Sequence, residues 1–157
     1  MKKLINTYSL LLSEDKIPYL HKDASYEYKE DCKMQSPRII SEMINDCFNL
    51  KEQAEEKVIL LCLDSKKRMI GLFEISHGSI SATLCGPANV MKRALLCSAA
   101  SIVLVHNHPS HDCEPSDEDI KVAESIESAG GLFGIKLDDF IIVGGDDYYS
   151  FYDHKII

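Results

Sequence analysis

SIVLVHNHPSHDCEPSDED, residues 101–119, runs from an unbroken apolar segment into a loop dense in histidine, acid and proline. Ser101 to Val105 read as a buried strand. Side chains of a strand alternate faces, so His106 and His108 point one way and Asn107 the other. Ser116 follows ten residues after His106 and reads as a helix N-cap. Asp119 stands three positions on, which brings hydroxyl and carboxylate to the same helix end. Pro109 and Pro115 restrict the path of the loop between the histidines and that helix.

Outward from this stretch, the signals alternate between helix and strand. Ser36-Pro37 marks a helix start, with Ser as cap and Pro at the first helical position. Ile39, Ile40, Met43, Ile44, Cys47 and Phe48 then recur at helical spacing. KVILLCLD (57–64) reads as a doubly buried strand, SKKR as a turn, and MIGLFEIS (69–76) as the returning strand. Pro87 opens a second helix with Val90, Met91, Ala94, Leu95 and Ser98 on one side. PSDEDIKVAESIESAGG (115–131) predicts a third helix that stops at Gly130 and Gly131. DFIIVGG (139–145) predicts the last core strand, followed by the aromatic tail DDYYSFYD. Residues 1–35 are weakly patterned, with ASYEYKE (24–30) as a short edge strand, and are expected to be an N-terminal extension to a domain over 36–157. The fold class is α/β (α+β), a mixed central sheet sandwiched by helices. No glycine-rich phosphate loop is present.

Two imidazoles and one carboxylate give His106, His108 and Asp119 as three ligands for one metal ion, and leave a fourth tetrahedral position for water. An open site of this kind suits catalysis. Zinc lowers the pKa of its water to roughly 7, and a carboxylate off the metal is then needed to relay the proton. Without the histidines, Ser116 and Asp119 would read as simple helix capping. Manganese and iron are compatible with the same donor set. Cys113, His111 and Asp112 lie near the ligands in sequence, but the three chosen residues already complete the set. A nuclease reading of the letters His106-Asn107-His108 fails, because a contiguous triplet turns Asn107 to the wrong strand face.

Composition narrows the partners. The 157 residues are 45% hydrophobic, enough for one domain with a real core, and the net charge is −8 from 17 basic and 25 acidic residues. Direct nucleic-acid binding by the isolated chain is therefore disfavoured, since such binders neutralise phosphates with Lys and Arg. Lys66-Lys67-Arg68 is the one basic cluster, and it reads as a hairpin turn. No apolar run approaches the roughly 20 residues of a membrane helix, so a cytoplasmic location is expected. The six cysteines lack any Cys-x-x-Cys pair and read as buried free thiols. The oligomeric state is not legible.

The pattern His106-x-His108, seven residues, Ser116, two residues, Asp119 resembles the JAMM motif of JAB/MPN metalloproteases, which share a cytidine-deaminase-like architecture. HNHPS, PS-x-x-D, AGGLFGIKLDDFIIVGG and KVILLCLDSKKRMIGLFEISHGS are similar to the RadC-type branch, over about residues 36–152. The resemblance implies one Zn2+ per chain and a catalytic Glu just before the first core strand. Counting back from Leu63-Asp64 places that base at Glu56, with Glu55 its neighbouring alternative. It also implies that Ser116 hydrogen-bonds the oxyanion, that the scissile bond is an amide or isopeptide of a protein or peptide, and that the branch is associated with DNA repair. The helix-hairpin-helix segment of longer relatives is not expected in 157 residues.

The chain departs from the branch at His111, Cys113-Glu114, Ala88-Asn89 and Phe140, which touches loop shape and substrate choice but none of the ligands. Three functions compete: a zinc hydrolase, a repair or recombination protein acting through DNA-binding partners, and a metal-holding module without hydrolysis.

Overall fold

The computed structural model describes residues 3–28, 34, 36–78 and 85–157. Its strands are β1 (Lys3–Leu12), β2 (Pro18–Tyr28), β3 (Lys57–Leu63), β4 (Met69–His77), β5 (Ser101–Asn107), β6 (Lys136–Gly144) and β7 (Asp147–Ser150). They form one mixed sheet in the order β2-β1-β4-β3-β5-β6-β7. Only the β1–β4 and β5–β6 pairs are parallel. Among the described residues three α-helices cover it: α1 (Pro37–Phe48), α2 (Pro87–Leu96) and α3 (Asp117–Phe133). This is the mixed α/β class expected from the sequence.

Alternation along the central strands divides the core in two. Val58, Leu60, Cys62, Ile102 and Leu104 meet α2 and α3 on one face. Ile59, Leu61, Leu63, Val103 and Val105 meet α1 on the other. With hydrophobic residues on both faces, β3 and β5 are central strands, and β5 carries the functional loop out of the middle of the sheet. By the same alternation His106 falls on the α2/α3 face and Asn107 on the α1 face.

Several local expectations change. The weakly patterned N-terminal region forms two long strands, paired from Lys3↔Tyr28 to Leu12↔Pro18. Its pattern is faint because β2 is an edge strand with no buried position, and over residues 4–12 β1 buries only Ile5 and Thr7. The expected short strand is the C-terminal part of β2; its last residues, Lys29 and Glu30, lie outside the described residues. Ser36 makes no side-chain cap, although Pro37 does stand at the start of α1. Leu95 is exposed and Ser98 lies beyond α2, so that helix buries Val90, Met91 and Ala94 alone. The third helix does not stop at Gly130-Gly131. It continues to Phe133 and ends at Gly134, whose φ of 69° is the left-handed cap. Gly130 serves close packing instead, since a Cβ there would meet the Ile135 carbonyl oxygen at 2.3 Å. The aromatic tail supplies β7 and the buried Phe151. Lys66-Lys67-Arg68 is the expected turn, held by Asp64, which accepts from the amides of Lys66 and Arg68. Cys47, Cys62, Cys85, Cys97 and Cys113 are free thiols, and Cys32 lies outside the described residues. Among the described residues, no helix is long and apolar enough to cross a membrane.

The chain end is fastened to the sheet by a buried acid. Asp139 accepts from the Ser150 hydroxyl at 2.6 Å and from the Tyr152 amide at 3.0 Å. Burial nevertheless pushes its carboxyl from 3.8 up to about 6. An acid raised in the folded state holds its proton more tightly there than when unfolded, so its contribution falls as pH rises from about 4 to 6 and is flat above. Two units correspond to about 3 kcal/mol. Urea unfolding of the native chain and of Asp139→Asn should show the native chain losing up to that amount relative to the variant between about pH 4 and pH 7. A difference that stays constant across the range would refute the assignment.

Candidate metal centre

The end of β5 places both imidazoles. Val58 pairs with His106, and the His108 amide donates to the Val143 carbonyl at 2.9 Å, so the strand's support extends past its last residue. His106 Nδ1 lies 3.0 Å from the Lys57 carbonyl and His108 Nδ1 lies 2.7 Å from the Asp112 carbonyl. A carbonyl only accepts, so each ring carries its proton on Nδ1 and turns Nε2 inward. The two rings stand edge to face, with centroids 4.9 Å apart.

Asp119 arrives from the other side, in the first turn of α3. Ser116 and Asp119 form a full capping box: the Ser116 hydroxyl accepts from the Asp119 amide, and Asp119 accepts from the Ser116 amide at 2.7 Å. The Ser116 hydroxyl also donates to Asp119 Oδ2 at 2.7 Å. This arrangement occupies Oδ2 and leaves Oδ1 free to turn toward His106.

The three inward atoms sit close together. His108 Nε2 lies 3.3 Å from Asp119 Oδ2, and His106 Nε2 lies 3.7 Å from Asp119 Oδ1. The whole group lies within 4.8 Å, and it is the sole cluster of this kind among the described residues. Bonds of about 2.0–2.1 Å in a tetrahedron put neighbouring ligand atoms roughly 3.3 Å apart, close to what is seen here. His106 Nε2 and Asp119 Oδ1 are buried without a hydrogen-bond partner. Such atoms cost free energy unless something satisfies them. The group could therefore bind a metal ion.

Protonation follows the same geometry. Burial pushes His106 below its ordinary value. His108 is pushed up, chiefly by its hydrogen bond to Asp119. Burial pushes the Asp119 carboxyl up, but the bonds from His108 and Ser116 outweigh it and leave the group below its usual range.

The neighbours expected from the sequence take distinct places. Glu56 lines an open groove with Glu55, Gly78, His108, Pro109 and Ser116. Its charge favours the protonated form of both histidines, as the smallest of the influences on each, and at His106 burial outweighs it. Glu55 instead pairs with His77 at 2.6 Å. Cys113 is outside the ligand cluster. His111 adopts a left-handed φ of 64° and lays its ring against Gly145. Sequence reasoning missed Gly144: a Cβ there would meet the Cys113 amide nitrogen at 2.7 Å and the His111 carbonyl oxygen at 2.8 Å. The doublet Gly144-Gly145 was the available signal, read only as a strand end. Phe140, one of the departures noted above, is buried with its ring centroid 6.5 Å from that of His106.

Fold and site together define an α/β protein with an open His-His-Asp group at the end of a central strand. The sequence profile of the RadC-like JAB domain matches residues 34–156, and the chain belongs to that family. A UPF0758 protein of Methanosarcina barkeri is 43% identical over 108 residues, covering 69% of this chain and 47% of the relative. UPF0758 proteins of Actinobacillus pleuropneumoniae and Chlorobaculum parvum are 37% and 33% identical. They cover 69% and 88% of this chain, and 50% and 61% of their own lengths. The chain thus spans about half the length of the curated relatives it matches.

Dialysis against zinc followed by elemental analysis should give one ion per native chain and none for the His106→Ala, His108→Ala double variant. Protons compete for His108, whose pKa is raised, so affinity should already weaken on acidification at a pH where an ordinary histidine is still neutral. Equal metal in both proteins would remove these side chains as ligands.

Proposed function

We propose that the chain is a zinc-dependent hydrolase of amide-type bonds, with a protein or peptide as substrate. The observation that carries this reading is the pair of buried, unsatisfied ligand atoms, His106 Nε2 and Asp119 Oδ1, beside a groove that Glu56 shares.

His106, His108 and Asp119 would hold the ion. When bound, zinc supplies a water acidified to roughly neutral pKa and a Lewis acid for a carbonyl oxygen. Glu56, in the same groove and off the ligand set, takes the proton of the attacking water and delivers it to the leaving amine. Ser116 lines the same groove, and it would serve as the oxyanion donor. Its hydroxyl turns about a single bond, so its proton can leave Asp119 for a developing oxyanion while its lone pair keeps the Asp119 amide. Buried Phe140, its ring centroid 6.5 Å from that of His106, fills the apolar side, so substrate does not enter from there. Substrate must approach along the groove between Glu55-Glu56 and His108–Ser110.

General-base relays contribute about 10²–10⁴-fold to rate. In a screen of amide- and isopeptide-linked peptides, Glu56→Gln should lose about that much hydrolysis while keeping its zinc. Full activity in Glu56→Gln would eliminate this base. A native chain that binds one zinc and cleaves nothing would be a metal-holding module.

A further inference from the structure

Asn107 sits between the two histidines yet belongs to neither the ligand set nor their face of the sheet. It is buried, and its side chain reaches backwards to the segment that carries Glu56. The Lys57 amide donates to Asn107 Oδ1 at 2.7 Å, and Asn107 Nδ2 donates to the Glu55 carbonyl at 3.2 Å. The partners fix the orientation of the carboxamide, because an amide N–H needs an acceptor and a carbonyl needs a donor. One side chain therefore grips the backbone on both sides of Glu56.

The surroundings make that grip consequential. Glu56 precedes β3, in an irregular segment that no strand ladder holds. Its own carbonyl accepts from the Gly78 amide at 2.8 Å, at the end of β4. Gly78 has a φ of 108°, a conformation that L side chains rarely adopt. The Lys57 carbonyl is taken by His106 Nδ1. Four of the five backbone groups from the Glu55 carbonyl to the Lys57 carbonyl are thus tied to β5 or to the end of β4 by named partners. Two of the four ties are made by Asn107, and a third is made by a metal-ligand residue.

We infer that Asn107 is a positioning residue: it fixes Glu56 opposite the His106–His108–Asp119 group, so that strand β5 sets the ligands with one face and the proton carrier with the other. The inference rests on the reading of Glu56 as the base. A bare capping role at the strand end is the competing account. It predicts loss of stability and metal together, because the ends of β3 and β5 would fray as one. Positioning predicts that the ligands stay and only the Glu56 segment loosens, since Asn107 points away from the ligand face.

Three chains decide this: native, Asn107→Ala, and Asn107→Asp, which keeps an acceptor for the Lys57 amide. Two NMR readouts apply, neither of which needs turnover. The first is hydrogen exchange of the Lys57 amide in the metal-free chains. The second is the cobalt-induced pseudocontact shift of the Glu56 carboxyl carbon in the Co2+-loaded chains. Asn107→Ala should exchange Lys57 at least ~10-fold faster, the equivalent of one lost hydrogen bond of about 1.4 kcal/mol. It should also lose at least half of the Glu56 shift while binding one Co2+ per chain. Asn107→Asp should restore Lys57 protection. Unchanged exchange, an unchanged Glu56 shift, or loss of Co2+ from Asn107→Ala would each overturn the inference. If the native chain cleaves an amide, kcat should fall in Asn107→Ala at constant KM, and an unaltered kcat would overturn it as well. A native chain that cleaves nothing defeats the hydrolase reading and leaves the two NMR readouts to decide the clamp.

Discussion

The structure depends on how two imidazole protons are spent. Each histidine donates Nδ1–H to a backbone carbonyl, His106 to Lys57 and His108 to Asp112. That fixes the tautomer, and the tautomer turns both Nε2 lone pairs toward Asp119. The carbonyls come from different places: one from the neighbouring central strand, the other from the loop that follows. The ligand group therefore requires both a correctly registered β3–β5 pair and a correctly folded 108–116 loop. Register is strongly specified in this sheet, because a slip of one residue would move every core side chain of β3 and β5 to the wrong layer.

The loop is specified by different means. It has no hydrophobic pattern to hold it, so it relies on close approach and on capping. Gly144 lets the backbone of His111–Cys113 lie against β6, where any Cβ would collide. This contact sets the Asp112 carbonyl that orients His108. At the other end, the capping box turns Asp119 toward the two imidazoles and fixes where helix α3 starts. Its first turn holds three acids, Asp117, Glu118 and Asp119, favourably placed at the positive end of the helix dipole.

Legibility in the sequence followed the type of force involved. Burial on both faces leaves unbroken apolar runs, so β3, β5 and β6 were readable, as was the amphipathic face of α1. The spacing of His106, His108, Ser116 and Asp119 was readable because strand alternation and helix capping are local rules. Of strands β1 and β2 only the C-terminal part of β2 was readable, since an edge hairpin buries too little to impose alternation. Gly130 misled for a related reason: glycine signals both helix ends and close packing, and only the tertiary neighbour, the Ile135 carbonyl, separates the two. The links from Asn107 to Glu55 and Lys57 span about fifty positions and leave no local trace.

Leaving His106 Nε2 and Asp119 Oδ1 unsatisfied is expensive, since a buried polar atom without a partner costs about 1–3 kcal/mol. Natural folds seldom tolerate this where a small change would relieve it. Neither atom can relieve the other, because a carboxylate oxygen and an imidazole lone pair both only accept. The two hydrogen bonds from Ser116 meanwhile hold Oδ2 in place. A fold that merely needed a helix cap had no reason to bury the carboxylate fully, nor to face it with the unpartnered Nε2 of His106. A bound cation would take all of these lone pairs at once, and a site built before its cation arrives would lose little of the binding free energy to rearrangement.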